Sequence, residues 1–354
     1  MTKVLLIQNC ITSYNLPIYN LLAAQPGLGL TVAHFGDKTK STNQFTELVL
    51  TSRQRGPFHF ANENMYTLCN NYDVVICLGD IHWLSLMMLG KKRKRSFKLV
   101  YWGIGVSASY KNKFDENKRW DFLRHFFMKS ADALVFYSDY PVKKYAEKGI
   151  PLNKMFVAPN TIQVTHTLNT PTAKDSILFV GSLYKEKGIT ELLDAYDKAL
   201  GINNELPVLN IIGGGDEYEA INTWIKEKEL THKINLLGPI YDNEKLEAYF
   251  ARALACISPN QAGLSVLMSM GHGVPFITRF DAITGGERLN ITHNETGILY
   301  KNEQELVHIL CDIPGNGDKY IEMGKKARVF YDKFRQPENM VKGFTDAIKF
   351  VLSK

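Results

Sequence analysis

The stretch Ser258-Pro259-Asn260-Gln261-Ala262-Gly263-Leu264-Ser265-Val266-Leu267-Met268-Ser269-Met270-Gly271-His272-Gly273-Val274-Pro275 lies inside a run, Ala253 to Thr278, that carries no Asp, Glu, Lys or Arg. On length alone such a run suggests a membrane span. Pro259, Asn260, Gln261, three glycines, His272 and Pro275 interrupt it, so it reads instead as strand, loop, helix, strand. Gly263 lets backbone come close to a ligand, and the helix that follows presents free N–H groups and a positive dipole end. A turn of this kind can hold a diphosphate without a metal. Leu264, Leu267, Met268 and Gly271 recur at helical spacing and are expected to be core contacts, with His272 a structural histidine.

The same alternation of short apolar runs and amphipathic stretches extends in both directions, the pattern of parallel sheets covered by helices. Strands are predicted at Lys3–Gln8, Leu30–Phe35, Val74–Leu78, Leu99–Trp102, Ala133–Tyr137 and Met155–Ala158. After a Thr-rich segment without Asp, Glu, Lys or Arg that begins at Asn160, the alternation restarts with Ile177–Val180, Leu209–Ile212, Ile234–Leu237, Leu254–Ile257 and Pro275–Thr278. This predicts an α/β chain of two Rossmann-like doubly wound domains, residues 1–162 and 163–335, facing a central ligand cleft, because such sheets bind beyond the carboxyl ends of their strands. Residues 336–354 are expected to form a helix, with Met340, Phe344, Ile348 and Val351 on one face, packing back toward the N-terminal domain.

At 354 residues the chain suffices for two such domains, and its 45% apolar and 22% charged residues suit a folded protein rather than a disordered one. A net charge of +6 favours anionic ligands without selecting one. The five cysteines are scattered singly, which reads as reduced thiols in a cytosolic protein. No h-region or cleavage site follows Met1, so a cytoplasmic location is expected, peripheral on the inner face of the membrane if lipid is contacted.

A second informative loop, Phe179-Val180-Gly181-Ser182-Leu183-Tyr184-Lys185-Glu186-Lys187-Gly188, ends a strand and opens a helix. It can offer N–H groups and a lysine to phosphates, or it can be a plain Gly-containing turn with solvated lysines. Together the two loops resemble glycosyltransferase family 4, whose members have the two-domain architecture called GT-B. The resemblance continues through Leu209-Asn210-Ile211-Ile212-Gly213-Gly214-Gly215, Ile234-Asn235-Leu236-Leu237-Gly238-Pro239, Gly285-Gly286-Glu287 and Glu295-Thr296-Gly297-Ile298-Leu299. The N-terminal half fits more loosely, through Tyr14-Asn15-Leu16-Pro17, Tyr101-Trp102-Gly103-Ile104-Gly105 and Ala158-Pro159-Asn160-Thr161.

The resemblance implies a nucleotide-diphosphate sugar as substrate, no separate cofactor, and transfer of a hexose or related sugar to a glycan or polyprenyl-linked acceptor. Such transfer serves cell-surface polysaccharide or glycolipid assembly and retains the anomeric configuration. It places the donor against Gly181, Ser182, Lys187, Gly213, Gly214, Pro239, Ile240, Asn260, Gln261, Gly263, Leu264, Ser265 and Glu287, and the acceptor near Tyr14, Trp102 and Gly103. The family's usual pair of glutamates is absent, Asn260 and Met268 standing in their places, and Ser182 replaces its usual arginine. Asn260, Lys187 and Glu287 are therefore the candidate catalytic residues. A sugar-nucleotide-binding partner that has lost catalysis and a GT-B epimerase remain as alternatives. No Asp-x-Asp metal motif occurs, so Lys187 and the helix start at Gly263–Ser265 are expected to stabilise the leaving diphosphate.

The run Lys91-Lys92-Arg93-Lys94-Arg95 follows the apolar segment Ile81–Leu89. It reads either as a solvated helix end or as a contact with anionic lipid headgroups. No aromatic interleaving accompanies it, which disfavours nucleic acid.

Overall fold

The computed structural model describes residues 1–92, 94–109, 113–116, 118–165 and 173–354. They form two compact units: Met1–Ala108, Phe114–Gln163 and Arg335–Lys354 in the first, and Val164–Phe334 with Ser109 and Lys113 in the second.

The first unit is built on strands β1 (Thr2–Gln8), β2 (Leu28–His34), β3 (Thr46–Val49), a hairpin of β4 (Ser52–Arg55) and β5 (Phe58–Ala61), then β6 (Val74–Leu78) and β7 (Lys98–Gly103). The short β8 (Ala108–Ser109) and β9 (Lys113–Phe114) follow, then β10 (Ala133–Phe136) and β11 (Met155–Val157). The main sheet runs β11-β10-β7-β6-β1-β2-β3 with every neighbour parallel. Its helices are α1 (Leu16–Ala23), α2 (Met65–Cys69), α3 (Leu84–Met87), α4 (Asp121–Met128) and α5 (Asp139–Glu147). Both faces are covered, so the strands are continuous apolar runs. Val4 and Leu6 of β1 face one core, and Leu5 and Ile7 face the other. The stretch Ile81–Leu89 is mostly core, with Trp83, Leu86, Met87 and Leu89 buried.

The second unit contains β12 (Ser176–Val180), β13 (Val208–Ile212), β14 (Ile234–Gly238), β15 (Ala253–Ile257), β16 (Phe276–Arg279) and β17 (Gly297–Tyr300). Its sheet order is β14-β13-β12-β15-β16-β17, again wholly parallel. Helices α6 (Ile189–Ile202), α7 (Tyr218–Glu227), α8 (Asn243–Arg252), α9 (Leu264–Gly271), α10 (Glu303–Gly315) and α11 (Gly317–Phe334) flank it. Strand order that steps outward both ways from β12 and β15 is the doubly wound arrangement, and ligands of such sheets sit beyond the carboxyl ends of the strands.

The last helix, α12 (Pro337–Leu352), belongs to the first unit. Its predicted stripe of Met340, Phe344, Ile348 and Val351 is buried against Val4, Leu6, Val100 and Trp102. Gly343 explains how close it comes: a Cβ there would stand 2.3 Å from the Val157 carbonyl oxygen. Among the described residues no helix is long and apolar enough to cross a membrane.

Candidate functional site

The carboxyl ends of β12, β13 and β15 bring the two loops singled out in the sequence into one neighbourhood of the second unit. Gly181 donates to the Ile212 carbonyl at 3.0 Å, and Leu183 donates to the Gly214 carbonyl at 2.9 Å. The loops interlock so tightly that a Cβ on Gly213 would lie 1.8 Å from the Gly181 carbonyl oxygen. Gly214 lies beside Pro239, and Ile240 follows half-buried.

Lys187 closes a single turn, Lys185–Lys187, after which Gly188 at φ +70° lets the chain enter α6. The Asn260 amide donates to the Lys187 carbonyl at 3.2 Å, and a side chain on Gly188 would collide with that of Asn260. Segment 260–262 is held in turn by Ile283, whose amide donates to the Asn260 carbonyl and whose carbonyl accepts from Ala262. This pairing sets Thr284–Glu287 next to the loop that starts α9. Lys187, Asn260 and the Glu287 loop are thus joined by backbone bonds within one unit.

The Lys187 side chain is 8% exposed, with Nζ near Gly181. Among the described residues its ammonium has no hydrogen-bond or ion-pair partner and lies 5.8 Å from the centre of the Tyr184 ring, and burial pulls its pKa down to about 8. A buried unpaired ammonium is costly, and an anionic ligand would relieve the cost. The start of α9 offers complementary groups. The Ser265 hydroxyl is buried without a partner, and the N–H groups of Leu264 and Ser265 meet no acceptor among the described residues. A Cβ on Gly263 would meet no protein atom within 4 Å.

Glu287 serves its own loop: its carboxylate accepts from the Gly285 amide at 2.8 Å and the Thr284 hydroxyl at 3.1 Å. The Thr284 hydroxyl oxygen accepts in turn from the Gly286 and Arg288 amides. Glu287→Ala is therefore expected to lower stability by about 1–3 kcal/mol through the Gly285 donor left unpaired, beyond any effect on turnover. Melting of the variant tests this; an unchanged transition would make the carboxylate free for substrate alone.

Other expectations fare differently. Leu267 and Gly271 are buried, but Leu264 and Met268 are only half-buried. The stripe α9 turns to the fold is Val266, Leu267, Met270 and Gly271, so residues 264 and 268, four apart, share the outer face. His272 stacks on Phe250 with ring centroids 4.5 Å apart, which is a packing role. Gln261 accepts from the Tyr184 hydroxyl at 3.5 Å, while Ser182 is exposed. In the first unit Tyr14 is half-buried just ahead of α1 and Gly103 ends β7. The Trp102 side chain is 1% exposed, edge-on to Phe344 and Tyr137, so it supports the strand ends from the core.

Sequence reasoning passed over Arg288. Its Nε is buried without a partner among the described residues, and burial lowers its pKa. It sits in the turn Glu287–Asn290, which packs against α9. The signal available was its place directly after Gly285-Gly286-Glu287, a second cation close in sequence to the candidate site residues. No group of three or more metal-binding side chains occurs among the described residues.

No curated protein matches the chain by sequence. Among solved structures, HepE from Anabaena in complex with UDP aligns with a TM-score of 0.72 at 14% identity, over 99% of this chain and 100% of that one. TarM from S. aureus, in complex with fondaparinux, alpha-GlcNAc-glycerol and UDP, gives 0.69 at 10% identity, over 98% and 99%. The lipopolysaccharide outer core galactosyltransferase WaaB gives 0.69 at 17%, over 98% and 99%. The chain has the GT-B fold of these structures, and its residues 165–330, the part that holds the candidate site, match the family model described as Glycosyl transferases group 1.

Proposed function

We propose that the chain is a glycosyltransferase that moves a hexose or related sugar from a nucleotide-diphosphate sugar to a glycan or lipid-linked acceptor. Residues 163–335 bind the donor, and residues 1–162 bind the acceptor. The observation that carries this reading is Lys187, a buried ammonium without a counter-ion among the described residues, set beside a helix start whose donors are unengaged. The match of residues 165–330 supports the same class.

In this reading the donor diphosphate takes hydrogen bonds from Lys187, from the Ser265 hydroxyl and from the first N–H groups of α9. These groups are fixed before the bond from the anomeric carbon to phosphate oxygen breaks, so they stabilise the developing charge without reorganising. Asn260, held by its backbone beside Lys187, orients the sugar. The acceptor oxygen bonds to the anomeric carbon on the face the phosphate leaves, and its proton passes to the departing phosphate oxygen, retaining configuration. No divalent metal takes part. The Lys91–Arg95 run meets anionic headgroups and brings a lipid-linked acceptor to the enzyme; Arg93 lies outside the described residues. Arg95 takes a structural part in this, its guanidinium pairing with Asp132 at 2.7 Å.

A panel of nucleotide sugars is expected to contain one that raises the melting temperature of the purified protein, since a ligand of the native state alone stabilises it. That sugar is then expected to be transferred at an undiminished rate in EDTA. Loss of turnover in EDTA with recovery in magnesium or manganese would overturn the metal-free mechanism. Binding without transfer or hydrolysis across a broad acceptor panel would leave a sugar-nucleotide-binding protein.

A further inference from the structure

Helix α4 carries an apolar face that the fold does not use. Its inner face is ordinary: Arg124, Phe127 and Met128 are buried. On its outer face Phe122 is 83% exposed and Phe126 48%, and Trp120, just ahead of the helix, is 36% exposed. Residues 122 and 126 are four apart, so both lie on one face of the helix. Large aromatic groups left together in water are costly, and a contiguous set marks a surface for a partner.

The surroundings say which partner. The Lys91 ammonium lies 3.3 Å above the Phe126 ring, and the Arg119 guanidinium lies over Trp120. Lys129 is exposed one turn beyond Phe126. Trp120 meets Phe58 edge-on, which joins the patch to the hairpin carrying the exposed Arg53 and Arg55. Four acids lie between Asp115 and Asp132 in the sequence. Three are held in ion pairs: Asp115 with Lys118 and Lys144, Asp121 with Arg124 and Lys144, and Asp132 with Arg95. The result is an aromatic centre with a basic rim. That combination complements an anionic bilayer, where aromatic rings settle at the headgroup level and cations meet lipid phosphates.

We infer that the outer face of α4 docks the first unit on an anionic bilayer, with Phe122 and Phe126 seated at the boundary between headgroups and acyl chains. The inference deepens the headgroup contact of the lysine run and rests on it for the charge of the surface met. It adds an insertion element that the lysines alone do not supply. Because α4 is already folded, docking requires no helix formation at the membrane.

The test uses the full chain and vesicles of phosphatidylglycerol with phosphatidylcholine. Phe122→Ser with Phe126→Ser is expected to weaken co-sedimentation by roughly tenfold or more at both low and high salt. Replacing Lys91, Lys92 and Lys94 with Gln is expected to remove chiefly the salt-sensitive part. Tryptophan fluorescence of a Phe122→Trp variant is expected to shift to the blue on vesicles and to be quenched by acyl-brominated lipid. Both phenylalanine positions are on the surface, so melting and donor-induced stabilisation should match the parent protein. If the serine pair binds as the parent does while the glutamine variant is released, the headgroup contact stands and insertion is wrong. If neither variant changes vesicle binding, or the parent does not bind, both are wrong. A parent that sediments as a dimer dissociated by the serine pair, without binding vesicles, would assign the face to a second copy of the chain.

Discussion

Lys187→Met is expected to cut sharply the stabilisation of the protein by its nucleotide sugar while making the ligand-free second unit more stable. Loss of a charge-assisted hydrogen bond to phosphate weakens donor binding by about 1.5–3 kcal/mol. The opposite effect on the ligand-free protein follows from where the ammonium sits. Burial lowers the Lys187 pKa from 10.5 to about 8, and at about 1.4 kcal/mol per pH unit that is a cost of up to roughly 3 kcal/mol at neutral pH. Methionine fills a similar volume and carries no charge.

The pH dependence gives an independent check. Between pH 8 and 10.5 the unfolded chain holds a proton at Lys187 that the folded ligand-free protein has released, so this residue's contribution to stability rises with pH across that window. Donor binding runs the other way. A phosphate beside Lys187 raises its pKa, so affinity is fully present below about pH 8 and falls as pH rises, by at most about tenfold per pH unit. Titration calorimetry in buffers of different ionisation enthalpy should show proton uptake on donor binding near pH 8, and none in Lys187→Met. Equal affinity and equal stability in the two proteins would return Lys187 to a packing role.

The parallel sheets were legible because strands buried on both faces are unbroken apolar runs: Val4–Ile7, Val74–Cys77 and Leu254–Ile257 need no pattern finer than that. What escaped was short or at an edge. β3 and the β4–β5 hairpin are four-residue strands whose residues are mostly exposed or half-buried, so the Thr-Glu-Leu-Val and Ser-Arg-Gln-Arg sequences carry little periodicity. β17, also four residues, sits on the far edge of its sheet. In α9 the helix was found but its phase was not, because Leu264, Val266, Leu267, Met268 and Met270 are all apolar and burial alone decides between them. Trp102 shows the converse limit. A tryptophan at a strand end beside two glycines looks like a ligand contact in sequence, and only the seating of Phe344 from the far terminus shows that the indole belongs to the core. The sequence made Lys187 a candidate phosphate lysine. That it is buried without a counter-ion among the described residues required the folded chain, since the groups that enclose it come from positions separated widely in sequence.

Gly213 and Gly263 were both read as donor glycines, and their substitution by alanine should separate them. At Gly213 the new methyl would stand 1.8 Å from the Gly181 carbonyl oxygen, an overlap with backbone that no rotamer relieves. Either the β12 or the β13 loop must move, breaking the Gly181 to Ile212 bond that registers them. A loss of roughly 3 kcal/mol or more is expected, with donor binding weakened in step because the loop bearing Lys187 loses its support. At Gly263 nothing in the protein lies within 4 Å of the added carbon, so there is no clash, but φ −101° with ψ −149° lies outside the regions that L residues favour. Stability should fall by only about 1 kcal/mol, the backbone strain of a non-glycine residue there, partly offset as the unfolded chain loses freedom. The methyl would nevertheless stand at the helix start, between the α9 N–H groups and an approaching phosphate. Donor affinity is therefore expected to fall by about tenfold or more with the fold intact. Chemical denaturation and calorimetric titration of the two variants read both quantities. If Gly263→Ala binds the nucleotide sugar as the parent does, the diphosphate does not approach α9 at that point, and the electrostatic role assigned to the helix start falls with it.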